Sequence, residues 1–338
     1  HPLFESSAAS DVYKRQGVPS TDAYERAERS ARKALELEPD RSDALTAMGF
    51  LLDRKYDNPA EARGYYERAL AANPAFIEAY TLYADSLLDL GLTEEALDVR
   101  REAALRDPLS TFIASRLAGT LMISGQQETA QAQLDVLFEQ SPEDTYGHEE
   151  QANLHSLRGK FADAIRSYRF VHEGRPGDPF SAASIACVYQ TMDDAEQVER
   201  WIGAARARGE NNRWELEARR CRARAIGDWD ALLRAGQLNL SQDGALWQGE
   251  ASLGRGDWEA ARAAFLRMLA RLEYHENATL TGRHIMALMG LALAEQKLGL
   301  ESWQQHADRV HVFLDALFGN VTHFSGWPTT NVACMLAQ

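Results

Sequence analysis

The sequence predicts an all-α chain, an array of antiparallel helix pairs stacked one on the next. Three observations predict it. Prolines at 74, 108, 142 and 176 recur every 34 residues. Between consecutive prolines, apolar residues fall at helical spacing in two short runs around a turn. Small residues stand where two helices would have to touch. Residues Phe76 to Pro108, FIEAYTLYADSLLDLGLTEEALDVRREAALRDP, carry the layout most plainly, with Ala84, Ala96 and Ala103 at the contact positions.

Each position of a 34-residue unit has a physical cause. Counting so that the closing proline is position 32, Tyr80, Tyr83, Ala84 and Leu87 hold positions 4, 7, 8 and 11 of the unit ending at Pro108. These lie on one helix face, which must pack on its partner. Gly or Ala at 8 and 20 lets two backbones approach. Gly91 and Gly125 suit the left-handed C′ position that ends the first helix. Thr93, followed by Glu94 and Glu95, reads as an N-cap with acids at the positive end of the dipole. Proline ends the second helix. The next unit repeats the pattern with Ala114, Leu117, Ala118, Leu121, Gly125, Ala130, Leu134 and Pro142; Arg100 and Leu137 depart from it.

These residues, and a period of 34 with two helices per unit, resemble the tetratricopeptide repeat (TPR) family from about Tyr24 to Glu273. The resemblance implies a TPR-type α-solenoid, a right-handed superhelix of antiparallel helix pairs.

Taken in order, His1 to Gln16 stand apart. The string SSAASDVYKRQ resembles translated adapter sequence, an ordinary disordered terminus being the alternative. With His rather than Met first, the chain reads as a fragment or processed product. Residues 17–273 form the array, about seven full or partial repeats. Asp22 to Glu38 reads as the second helix of a truncated unit, with Tyr24, Ala27, Ala31 and Ala34 in register. Ser42 to Pro74 is the first full unit, and its turn, Lys55 to Pro59, carries one extra residue. The unit ending at Pro176 has a polar seam of His148, Gln151 and His155. The unit from Gly177 loses its closing proline and turn glycine. Two units then share the turns Gly227-Asp228-Trp229 and Gly256-Asp257-Trp258, only 29 residues apart. A short helix after Trp229 and a loop over Gln237 to Gly244 would absorb the difference. In residues 274–338, Asn277 to Gly299 and Ser302 to Phe318 read as a terminal hairpin covering the end of the stack. The last twenty residues read as loop, and the C-terminus as open to truncation.

Composition narrows the function classes. A net charge of −14 argues against a nucleic-acid surface. No apolar run is long enough for a transmembrane helix. Cys187, Cys221 and Cys334 form no CxxC pair, which removes zinc-ribbon and thioredoxin-like readings. The unpaired cysteines favour a reducing, cytoplasmic compartment; the periplasm stays open if an upstream segment spans the membrane. No phosphate-binding loop, GxSxG or HExxH occurs. Gly249, Gly254 and Gly256 sit on repeat positions 8, 13 and 15, a structural placement. His148 and His155 are about 10 Å apart along one helix, too far to share a metal, and are expected to make interhelix hydrogen bonds. Trp229 and Trp258 are expected to pack into hairpin turns. The expectation is therefore a non-enzyme with no cofactor and no metal.

What the resemblance implies about function lies on the concave face, lined in TPR arrays by positions 2, 5, 9, 12 and 13 of the first helices. The expected groove runs through Asp43, Phe50 and Asp53 in the first full unit, then Glu78, Asp85 and Asp89. Phe112, Met122 and Ile123 follow, then Tyr146, Glu149 and Asn153, and finally Phe180. An acidic mouth leading to an apolar floor fits a partner peptide or protein segment with basic residues beside apolar anchors. The lysine clamp of co-chaperone TPR domains is missing from the matching positions. Residues 34–91 are similar to the TPR region of bacterial winged-helix regulators or class III adenylate cyclases. This implies the regulatory part of a larger signalling or transcription protein. The alternative is a substrate-recruiting array of an enzyme, such as a glycosyltransferase, whose catalytic domain lies outside this chain.

Overall fold

A computed structural model describes residues 21–56, 58–90, 92–206, 209–239, 243–272 and 282–318. Among the described residues are seventeen α-helices and no strand. The chain divides into two compact units, His1–Leu154 and His155–Gln338.

The first unit holds α1 (Thr21–Leu37), α2 (Ser42–Arg54), α3 (Pro59–Ala72), α4 (Ile77–Asp89), α5 (Thr93–Arg106), α6 (Thr111–Ile123), α7 (Gln127–Gln140) and α8 (Thr145–Leu157) as far as Leu154. Consecutive helices from α1 to α7 pack on one another, and α2 also packs on α4. Contacts of this kind are what a repeat array consists of. Ala31 of α1 is buried against Met48 and Leu51, as a second helix of a pair would be. The proposed register holds in the core: Tyr66, Tyr83, Ala84, Leu87 and Ala96 form one cluster, and Leu117, Ala118, Leu121, Ala130 and Leu134 another. A Cβ on Gly49 would lie 2.8 Å from the ring of fully buried Tyr66, so the small residue at position 8 is a packing requirement.

Two local expectations change. Thr93 is the first helical residue of α5 rather than its cap; the N-cap is Leu92, with no side-chain hydrogen bond. Thr93 is itself buried, 5% exposed. Gly125 takes the expected left-handed backbone (φ 78°), whereas Gly91 lies outside the described residues.

The second unit holds α9 (Phe161–Gly174), α10 (Pro179–Thr191), α11 (Ala195–Ala205), α12 (Arg213–Ile226), α13 (Trp229–Leu238), α14 (Asp243–Gly254), α15 (Trp258–Arg271), α16 (Gly282–Leu298) and α17 (Ser302–Phe318). Its core joins Leu216, Leu232, Trp247, Phe265, Ile285, Leu288 and Val310. Position 15 of the unit that lost its turn glycine is Asp193, which adopts the left-handed backbone itself (φ 56°). The expected loop at Gln237 to Gly244 is shorter, because α13 runs to Leu238 and α14 restarts at Asp243. Gly236 and Gly244 permit this: a Cβ on Gly244 would lie 2.1 Å from the Asn239 carbonyl oxygen. Trp229 packs over Gly254, where a Cβ would meet the indole at 2.2 Å. The α17 helix packs on α16, where buried Glu295 accepts from Ser302 Oγ (2.8 Å) and meets His306 Nδ1 (2.9 Å). The side chains of Phe313, Leu314 and Leu317 lie outside the described residues.

Candidate functional site

The candidate face is built from the first helices of the pairs. Ser110 Oγ caps α6 by accepting from Ile113 N. Asp144 Oδ1 accepts from Gly147 N at the start of α8, and its other oxygen takes Thr111 Oγ1 at 2.7 Å. The N-termini of α6 and α8 are thereby tied side by side. That places Phe112 and Tyr146, both at position 2, edge to face with centroids 5.2 Å apart and planes at 76°. Both rings are half-buried.

Beside them lies a charge cluster that the repeat pattern alone does not assemble. Asp85 Oδ1 accepts from Arg100 Nη2 (2.5 Å) and from Arg116 Nη2 (2.9 Å). Arg100 is buried, 1% exposed, with Nε and Nη1 lacking hydrogen-bond partners. Burial lowers its guanidinium to about 10, partly offset by Asp85. Asp85 raises Arg116 above its ordinary range. Glu150 joins from α8; burial pushes its carboxyl up, against the pull of Arg116 and Arg100. Gly119 makes room for it, since a Cβ there would lie 2.9 Å from Glu150 Oε1. The signals were in the register. Arg100 is the residue out of pattern at position 24, and Arg116 and Glu150 share position 6 one period apart.

The expected groove residues divide. Asp43 is held by a two-pronged contact from Arg41, at 2.7 and 3.1 Å. Phe50 is half-buried, its ring 6.4 Å from that of Tyr24. Asp53 is internal, 3% exposed, accepting from Tyr66 Oη (2.8 Å) and Ser86 Oγ (2.9 Å). It cross-links helices instead of facing a groove. Met122 is likewise core, 3% exposed against Leu121 and Leu134. Its helix turns position 12 inward at that point. Glu78, Ile123 and Glu149 are half-buried. Asn153 donates to Glu150 Oε2 at 3.0 Å. The side chain of Asp89 lies outside the described residues. In the second unit, Phe180 meets Trp214 edge to face at 4.9 Å. Trp214 was missed, although it follows Phe180 by one 34-residue period.

The polar seam behaves as hydrogen-bonding structure. Gln151 and Gln131 exchange amide bonds at 3.0 and 3.3 Å. His148 Nε2 lies 2.9 Å from the Pro142 carbonyl. Among the described residues no three His, Cys, Asp or Glu side chains gather as metal ligands. No described helix is long and apolar enough to cross a membrane.

No family model matches the sequence, and no curated protein matches it. Solved structures do. The chain is similar to yeast Tom70, at TM-score 0.55 and 12% identity, covering 88% of this chain and 63% of that one. It is similar to Cut9 and Hcn1 of the APC/C hetero-tetramer, at TM-score 0.52 and 13% identity, covering 93% and 59%. It is also similar to the human IFIT1 dimer with m7Gppp-AAAA, at TM-score 0.51 and 15% identity, covering 87% and 68%. With the 34-residue period and the successive packing of its helices, the chain has the fold of an all-α TPR-type solenoid.

Proposed function

We propose that the chain is a non-catalytic protein-interaction module. It takes a partner peptide or protein segment along its first helices, with Phe112 and Tyr146 as the apolar contact. The observation that carries this is the edge-to-face pair itself. It is two half-buried aromatic rings at matched repeat positions, held by capped helix ends. Aromatic anchors of this kind dominate interface energies. Glu78 and Glu149 are the half-buried acids of this face, and Asp43, Asp53 and Asp85 bind neighbouring side chains. A segment with basic residues beside an apolar anchor suits that arrangement.

The IFIT1 structure carries m7Gppp-AAAA. A polyanion is disfavoured here by the net charge of −14 and by arginines already bound to carboxylates. The wider role, as regulatory part of a bacterial signalling or transcription protein, rests on the resemblance of residues 34–91 alone. The enzyme-accessory alternative is separated from it by reading the gene upstream.

The test is selection from a displayed peptide library, followed by two double variants. Phe112→Ala with Tyr146→Ala should raise the off-rate at least tenfold, about 1.4 kcal/mol. Glu78→Lys with Glu149→Lys should lower the on-rate and its salt dependence. Selected peptides that bind both variants unchanged would refute the assignment.

A further inference from the structure

Cys187 on α10 and Cys221 on α12 stand one 34-residue period apart, and both are half-buried free thiols. The two helices pack directly on each other, and two contacts show their register. Phe180 meets Trp214, also 34 residues later, at 4.9 Å. Arg222 Nη1 donates to Gln190 Oε1 at 2.9 Å. Between those two contacts the register sets Cys187 of α10 beside Cys221 of α12. Each cysteine follows its aromatic residue by seven positions, two helical turns along the same face.

From this geometry we infer that Cys187 and Cys221 are a redox-active dithiol that closes to an intramolecular disulfide, stapling two consecutive first helices. The oxidant is a small-molecule disulfide such as oxidised glutathione. The thiolate of one cysteine attacks a glutathione sulfur. The glutathione S–S bond breaks, one glutathione leaves as thiolate, and a mixed disulfide remains. The second cysteine, as thiolate, attacks the protein sulfur of that mixed disulfide and expels the other glutathione. The protein loses two hydrogens and two electrons, and the small disulfide is reduced to two thiols.

The Cys221 thiol and then burial push the Cys187 thiol well above its ordinary range. Either thiol can open the exchange, and the other, carried on the facing helix, resolves it by proximity rather than by thiolate character.

The experiment treats the full folded chain with oxidised glutathione, followed by intact mass and peptide mapping. The expected product has lost two hydrogens and contains a Cys187–Cys221 cross-linked peptide that dithiothreitol releases. Cys187→Ser should instead trap a glutathione adduct on Cys221. Closing the loop should raise the melting temperature by several degrees, because it restricts the unfolded chain. A wild-type chain carrying stable glutathione on either cysteine, a bond from either to Cys334, or no reaction at these two thiols would each overturn the proposal.

Discussion

Arg100 reaches from α5 to Asp85 on α4 at 2.5 Å, with almost none of its own surface in water. The Asp85 carboxylate is the counter-ion for this buried guanidinium and for Arg116. Removing one member of a buried charge pair leaves the other uncompensated, whereas removing both is milder. Asp85→Asn is expected to cost about 3–5 kcal/mol in urea unfolding. Asp85→Leu combined with Arg100→Leu should cost less than that single change. Equal losses would mean that the pair does not organise its surroundings.

Phe265 fills the space left by two glycines. A Cβ on Gly249 would lie 2.6 Å from its ring, and one on Gly290 2.2 Å. Gly249→Ala should therefore destabilise by about 1–3 kcal/mol through overpacking. Gly203, exposed on α11 with nothing within 4 Å of where a methyl group would stand, is the control. Gly203→Ala should stabilise by about 0.5–1 kcal/mol. Thermal melts of the two variants should move in opposite directions.

Asp193 holds a backbone conformation (φ 56°) that favours glycine, at the position where Gly125 and Gly159 stand in their units. Asp193→Gly is expected to stabilise the second unit by about 0.5–1 kcal/mol, less the added freedom of the unfolded chain. A lower melting temperature would show that the aspartate side chain contributes more than its backbone costs.

Glu28 on α1 receives Lys55 Nζ (2.6 Å), Tyr56 Oη (2.9 Å) and Arg32 Nη2 (2.6 Å). Lys55 is the chief cause that holds its carboxyl at about 2, below the ordinary 4.5. A lowered folded value gives stability present above pH 4.5 and lost as the pH falls from there toward 2. After discounting for solvent screening, about 1 kcal/mol is at stake. Glu28→Gln should be less stable than wild type at pH 7 and should converge with it near pH 2. A constant gap across that range would assign the effect to packing.

Much of the array was legible because its information is local. Apolar spacing, the proline period and glycines that end helices act within a few residues, so each helix pair can be read alone. The span Ser302–Phe318 was expected, and α17 occupies it. Thr93 escaped because the sequence shows a hydroxyl and acids at a helix start but not which residue is buried there. Asp53 and Met122 escaped for a related reason. A repeat position names a face on average, and small differences in packing decide whether a given side chain looks out or in.

The all-α class, the 34-residue unit and the helix pairing follow from residue order, since helix periodicity and turn chemistry are properties of short segments. Packing alone decided the partnerships between helices: Asp85 with Arg100 and Arg116, Phe112 with Tyr146, and Cys187 with Cys221. These depend on the register of one helix against another. That register is set by side-chain volumes such as Tyr66 over Gly49 and Phe265 between two glycines, which act only once the chain has closed on itself.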